Sequence, residues 1–257
     1  MSKSQVLFVV LLSSSFALPQ TAKAASAPLL PPQATLPIVF TKTVSADRSK
    51  AGDVFYAKTT QAVKLATGEV IPAGTEVVGH VAAASAFIYD KTPYAKQKES
   101  VLAIRFDTVR VAGHDVPLNV AVRAMADPLT SWGAREPKSS DLDPLGTMTQ
   151  IGGDQLVPSQ DEVVDQNGDV VAYNRRNGVY AHLIARGGCD GSSTEVSVSI
   201  YSASACGLYG FTGVAASEVG SSSSPSTLAL VSTHTSPKVW RRSTALLEVL
   251  PQDGETR

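Results

Sequence analysis

The chain has 257 residues, with 22 Lys and Arg against 23 Asp and Glu for a formal charge of −1, and 43% of its residues are hydrophobic. That near-neutral balance, with no basic stripe interleaved with aromatics, excludes nucleic acid as a partner and argues against an anionic membrane surface as the main one. The hydrophobic share supports a substantial core, and all-β domains of about 200–250 residues commonly fold as one unit.

The N-terminus reads as a secretory signal over residues 1–24. Lys3 supplies the positive start, Val6 to Leu12 is an unbroken apolar run, and Ala22-Lys23-Ala24 is a small-x-small cleavage site. The apolar run is far shorter than the roughly 20 residues that span a bilayer as a helix, so cleavage is expected rather than anchoring. The mature chain then carries 20 basic and 23 acidic residues, a charge of −3. No later segment is long and apolar enough for a transmembrane helix, which places the protein in the periplasm or outside the cell.

Residues 25–35, with Pro28, Pro31 and Pro32, read as a tether ahead of a single β domain over 36–250. Leu36 to Val44, Val54 to Leu65 and Val77 to Ala84 are rich in Val, Phe, Tyr and Thr and bounded by turn residues, as short strands are. Between them, Ile71-Pro72-Ala73-Gly74 has Pro second and Gly fourth, the pattern of a type I turn.

A hairpin follows. Leu102, Ile104 and Phe106 alternate with Ala103, Arg105 and Asp107, and beyond the turn at Ala112-Gly113-His114-Asp115 the residues Val116, Leu118, Val120 and Val122 alternate with polar or small ones. The parity changes between Phe106 and Val109, which predicts a bulge or bend there.

From 127 to 160 the alternation fails amid Pro128, Pro137, Pro144, Pro158 and four glycines, so this stretch reads as a long loop. Asn167-Gly168 between Val163-Val164 and Val170-Val171 is a hairpin signal. Gly178 to Ile184 and Val196 to Ile200 are further strand candidates, with a short helix from Thr194 to Cys206 as the alternative to the latter. Ser221 to Ser224 with Pro225 forms a loop, Leu228 to Val231 and Ala245 to Leu250 close the domain, and 251–257 is a tail.

These short strands lack the helical crossovers of parallel sheets, so the fold class is all-β and mainly antiparallel. A closed or nearly closed barrel protects strand edges, with a β-sandwich as the alternative.

Cys189 and Cys206 are the only cysteines, and in an oxidising compartment an isolated pair reads as a disulfide. Closing that loop stabilises the fold by about 3 kcal/mol in the chain-entropy account. The nucleophile elbow, the His-Glu-x-x-His metal helix and the Gly-rich phosphate loop are missing, so no cofactor or metal is expected. Asp165, Asn167 and Asp169 fit the first ligand places of a calcium loop, but Val170 stands where that loop needs glycine, and the hairpin turn is preferred. Gly207, Gly210 and Gly213 lack dinucleotide spacing and read as chain bends, with Tyr209 and Phe211 on the core. Arg175-Arg176 and Arg241-Arg242 read as strand-end surface charges.

The run Gly52-x-x-Phe55-x-Ala57, Val70-Ile71-Pro72-Ala73-Gly74-Thr75-x-x-x-Gly79-x-Val81 and Leu102-x-Ile104-x-Phe106-Asp107 resembles a pattern in secreted bacterial envelope proteins. More distantly it resembles the C-terminal β-barrel of TrbI-type components of type IV secretion and conjugation machines. The resemblance spans residues 50–123 and implies a barrel with envelope proteins as partners. It departs in the short tether, the absence of an apolar antenna and the Cys189 to Cys206 region. The reading is an exported, non-enzymatic barrel with a binding or structural role in the cell envelope. Its alternative is a secreted hydrolase using His182 or His234 with an aspartate of 127–169.

Overall fold

The computed structural model describes residue 30 and residues 32–64, 70–93, 96–135, 148–157, 160–165, 167–175, 178–182 and 195–251. The expected signal and most of the tether, with Cys189, therefore lie outside the described residues.

The chain opens with β1 (Thr35–Phe40), the short β2 (Val44–Ser45), β3 (Val54–Thr59), the β4 (Val63–Lys64) and β5 (Val70–Ile71) pair, and the long β6 (Glu76–Ser85). Next come β7 (Ser100–Val111), β8 (His114–Pro117) and β9 (Val120–Ala126), then helix α1 (Pro128–Arg135). A second group of strands follows: β10 (Met148–Thr149), β11 (Gln155–Leu156), β12 (Glu162–Val164), β13 (Val170–Arg175), β14 (Gly178–His182) and β15 (Glu195–Ser197). The last five are β16 (Gly207–Tyr209), β17 (Ala215–Glu218), β18 (Thr227–Ser232), β19 (Lys238–Val239) and β20 (Thr244–Val249).

The fold is mostly β, and its main sheet curls into a nearly closed barrel in the order β16-β9-β20-β1-β3-β6-β7-β18-β17, with β8 paired to β7. Its two end strands are the arms of one short connection through Gly210 and Gly213, whose φ angles of 78° and 69° permit the reversal. The wall is drawn together between β9 and the residues joining β17 to β18. Val122 N–H donates to Val219 O and Ser226 N–H to Val120 O, both at 2.7 Å, while the Ser226 hydroxyl donates to Leu118 O at 2.8 Å. A Cβ on Gly220 would stand 2.7 Å from Val120 O, so the approach of the two chains depends on that glycine.

All pairings of the barrel are antiparallel except β16 with β9, which run parallel. Parallel neighbours need a long crossover, and here α1 and the entire second sheet supply it. That second sheet is a meander in the order β10-β11-β12-β13-β14-β15. It covers the outer face of β9 and β20: Ala124, Ala126 and Leu246 belong to one buried cluster with Val163, Val196, Val198 and Tyr201.

The stretch read from sequence as a loop over 127–160 thus contains α1, β10 and β11. Asp127 caps the helix, its Oδ1 accepting the Thr130 N–H at 2.7 Å, and Pro128 occupies the first helical position where no N–H is needed.

The barrel interior is filled by side chains. Phe40, Phe55 and Phe106 meet there with ring centroids 5.5–6.2 Å apart, among Leu36, Ile38, Leu102, Ile104 and Leu228. β3 alternates strictly, with Phe55, Ala57 and Thr59 buried and Val54, Tyr56 and Lys58 exposed, because its outer face meets solvent. β1 and β20 are buried along both faces, since one faces the barrel core and the other the second sheet.

Two turns illustrate local control. Ala112 and Gly113 both have positive φ, 48° and 84°, giving the two-residue hairpin turn that matches strand twist between β7 and β8. The turn after β5 departs from the expected type I placement. Its bond runs from Thr75 N–H to Pro72 O, and Gly74, with φ 83°, stands third as a type II turn requires. Thr59 fixes this register: its carbonyl accepts the Gly74 N–H at 2.8 Å and its hydroxyl donates to Pro72 O at 2.8 Å.

Candidate functional site

The expected parity change in β7 is a β-bulge. Val78 pairs with Thr108 and Gly79 with Phe106, leaving Asp107 as the extra residue. A bulge turns a side chain that would alternate inward to the outer face. Asp107 and Thr108 accordingly both lie on the outer side, and the freed Asp107 carbonyl accepts the Leu118 N–H at 2.9 Å.

On the adjoining strand His80 occupies the same outer face. Its Nδ1 lies 3.0 and 2.8 Å from the two oxygens of Asp107, and the side chains are 36% and 37% exposed. The carboxylate holds the ring in the tautomer with a proton on Nδ1, which leaves the Nε2 lone pair for an outside partner. Such a pair supplies the base half of a triad. No described hydrogen bond links the other ring nitrogen to a hydroxyl.

Beside it on the same wall, Arg110 is forked between Glu76 at 3.1 Å and Asp115 at 3.0 Å. The hydrogen bond and charge of Asp115 push the guanidinium above its ordinary value, with Glu76 adding to the effect.

The other candidates are scattered over different elements. His114 is exposed at the start of β8, and His234 is exposed after β18, where its N–H is received by the Ser232 hydroxyl at 3.1 Å. His182 ends β14, and its side chain lies outside the described residues, as do Asp141 and Asp143. Among the aspartates of 127–169, Asp127 caps α1 and Asp154 accepts the Ala203 N–H at 2.8 Å. Asp165 accepts the N–H groups of Asn167 and Asp169 at 2.8 and 3.0 Å, and Gly168 takes φ 85°. The expected Asn-Gly hairpin between β12 and β13 is therefore present, with Asp165 as its side-chain clasp.

Gly207, Gly210 and Gly213 all have positive φ, and Phe211 is buried with its ring 5.6 Å from that of Trp240, as the reading of this run as chain bends expected. There is no free cysteine among the described residues. No group of three or more His, Cys, Asp or Glu among them could hold a metal ion.

No family model, no curated protein and no solved structure matches this chain.

Buried polar groups join the two sheets. Arg123, 4% exposed, donates to Ala205 O and Ala203 O at 3.2 and 3.0 Å and pairs with Glu248 at 3.4 Å. The Thr244 hydroxyl bonds those of Ser131 and Tyr201, each at 2.8 Å, tying α1 and the segment after β15 to β20. These contacts satisfy groups that burial would otherwise penalise, and they hold architecture rather than chemistry.

The sequence reading did not pair Asp107 with His80: it allowed each of the four histidines an Asp or Ser partner somewhere in the fold and preferred His80 as a residue of a strand pattern. Alternation already sets Asp107 outward of Phe106 and His80 outward of Val81, and what the sequence does not give is that their strands are neighbours.

Proposed function

We propose that this is an exported, non-enzymatic β-barrel protein with a binding or structural role in the bacterial cell envelope, in the manner of TrbI-type barrels. The observation that carries the reading is the filled barrel: Phe40, Phe55 and Phe106 occupy the interior, so partners meet the outer wall and the barrel ends. The secretory pattern over residues 1–24 supports export, and a Cys189–Cys206 disulfide belongs to the same proposal. Expressed in a bacterium and fractionated, the protein should leave the cytoplasm, begin near Ala25 and carry that disulfide on non-reducing peptide maps. An unprocessed chain retained in the cytoplasm with two thiols would overturn the proposal.

A secreted hydrolase is the second reading, and His80 with Asp107 is the observation in its favour. Hydrolysis of ester or peptide probes that disappears in His80→Gln would establish it in place of the first.

A further inference from the structure

The fold sorts charges that the whole-chain balance conceals. β1 is antiparallel to β3 and β20, and β3 to β6, so the ends of β1 and β6 and the starts of β3 and β20 share one rim of the barrel. The segments 41–50 and 236–243 join there as one cap. β2 pairs with β19, Ala46 N–H donates to Pro237 O at 2.9 Å, and Arg241 N–H donates to the Thr43 hydroxyl at 2.9 Å. Within these two segments stand Lys42, Arg48, Lys50, Lys238, Arg241 and Arg242 against Asp47, and Asp53, whose carboxylate accepts the Lys50 N–H at 2.8 Å, brings the local charge to +4 in a chain of −1. Lys238 is half-buried and the other five are exposed. Among the described salt bridges only the loose 4.0 Å contact of Arg48 with Asp47 belongs to this set.

The connection from β6 to β7 is fastened to the same cap, Phe87 N–H donating to the Ser236 hydroxyl at 2.9 Å. It carries Ile88 and Tyr89, 78% and 69% exposed, and Trp240 on the cap itself is 38% exposed. Cations alone would suit any polyanion. Cations bordered by an exposed aliphatic group, a tyrosine and a tryptophan match a lipid interface, where rings sit at headgroup level and apolar side chains enter the acyl boundary.

We propose that this end of the barrel docks peripherally on an anionic lipid surface, with Lys42, Arg48, Lys50, Arg241 and Arg242 over the headgroups and Ile88 and Tyr89 inserted. The inference goes beyond an envelope binding role and does not depend on it, since lipid binding is read without any protein partner.

The test is co-sedimentation of the purified, host-processed protein with vesicles of phosphatidylglycerol and phosphatidylethanolamine, against vesicles of phosphatidylcholine alone. Binding to the anionic vesicles alone, weakening as salt rises, is expected. Since each basic residue near such a surface adds a severalfold gain, Lys42→Glu with Arg241→Glu should weaken binding by at least about tenfold. Ile88→Ser with Tyr89→Ser should weaken it at unchanged charge, while Lys58→Glu with Lys64→Glu, away from the cap, should leave it intact. Circular dichroism of each variant separates lost binding from lost folding. Equal binding to both vesicle types overturns the proposal, and so does retention on a soluble polyanion with no affinity for vesicles. Indifference to the serine pair would remove the lipid assignment.

Discussion

Asp107 meets Nδ1 of His80 with both carboxylate oxygens, at 3.0 and 2.8 Å, because alternation along β7 and β6 sets both residues on the outer wall of neighbouring strands. The neutral imidazole should therefore carry its proton on Nδ1, the minority tautomer of free histidine. Nitrogen-15 spectra of labelled protein would report this directly, and Asp107→Ala should return the ring to the Nε2–H form. Because both groups are half-exposed, the same substitution should cost less than about 1 kcal/mol of stability. An Nε2–H ring in the parent protein would contradict the pairing.

Gly79 leaves no room for a side chain in the wall. A Cβ there would lie 2.3 Å from Arg105 O and 2.4 Å from Cζ of Phe55, so the ring packs where a side chain would otherwise stand. Gly79→Ala should destabilise by about 3 kcal/mol in urea unfolding, the upper end of ordinary overpacking, since a backbone carbonyl cannot step aside as a flexible side chain can. Adding Phe55→Leu should recover only part of the loss. A neutral Gly79→Ala would mean that β6 and β7 are not in this register.

Arg123 connects the barrel to the segment that leads out of the second sheet. Arg123→Met should cost about 3 kcal/mol, because Glu248 and the carbonyls of Ala203 and Ala205 lose a buried donor. In a double-mutant cycle, Arg123→Met with Glu248→Met should cost less than the sum of the single changes. Strict additivity would show that the two side chains are not coupled.

Within the connection that carries Ile88 and Tyr89, the Thr92 hydroxyl and then the Thr92 N–H hold the Asp90 carboxyl below its ordinary 3.8, with Gln97 adding to the effect. A carboxylate depressed in the folded state adds stability that is complete above its ordinary value and is lost as pH falls through the lower folded value. Carboxyl carbon-13 titration should place the Asp90 midpoint below 3.8. Thr92→Val, which keeps the N–H, should move that midpoint upward. An unchanged midpoint would show that the hydroxyl is not its main partner.

The strands that face solvent were the legible part of this fold. β3 was read from its Val, Phe, Tyr and Thr content between turn residues, and the bulge from the parity change between Phe106 and Val109. The second sheet was less visible because β10 and β11 are two residues long, too short to display a period, and lie among prolines and glycines. Its presence left one trace elsewhere: Leu246-Leu247 puts an apolar residue on each face of β20, and both are buried, Leu247 in the barrel core and Leu246 against the second sheet. Asp127-Pro128 was a helix start obscured by the surrounding turn residues. The His80–Asp107 pair required knowing which strands are neighbours, and the cationic cap required knowing that residues 41–50 and 236–243 meet.

In-cell crosslinking asks whether the barrel works by contact in the envelope. The protein, carrying a photo-crosslinker in turn on its outer wall and at its cap, would be recovered from envelope fractions and sized. Discrete higher-mass species containing a second envelope component, formed from some positions and not others, are the predicted result. Recovery only as a free monomer from every position would contradict the account.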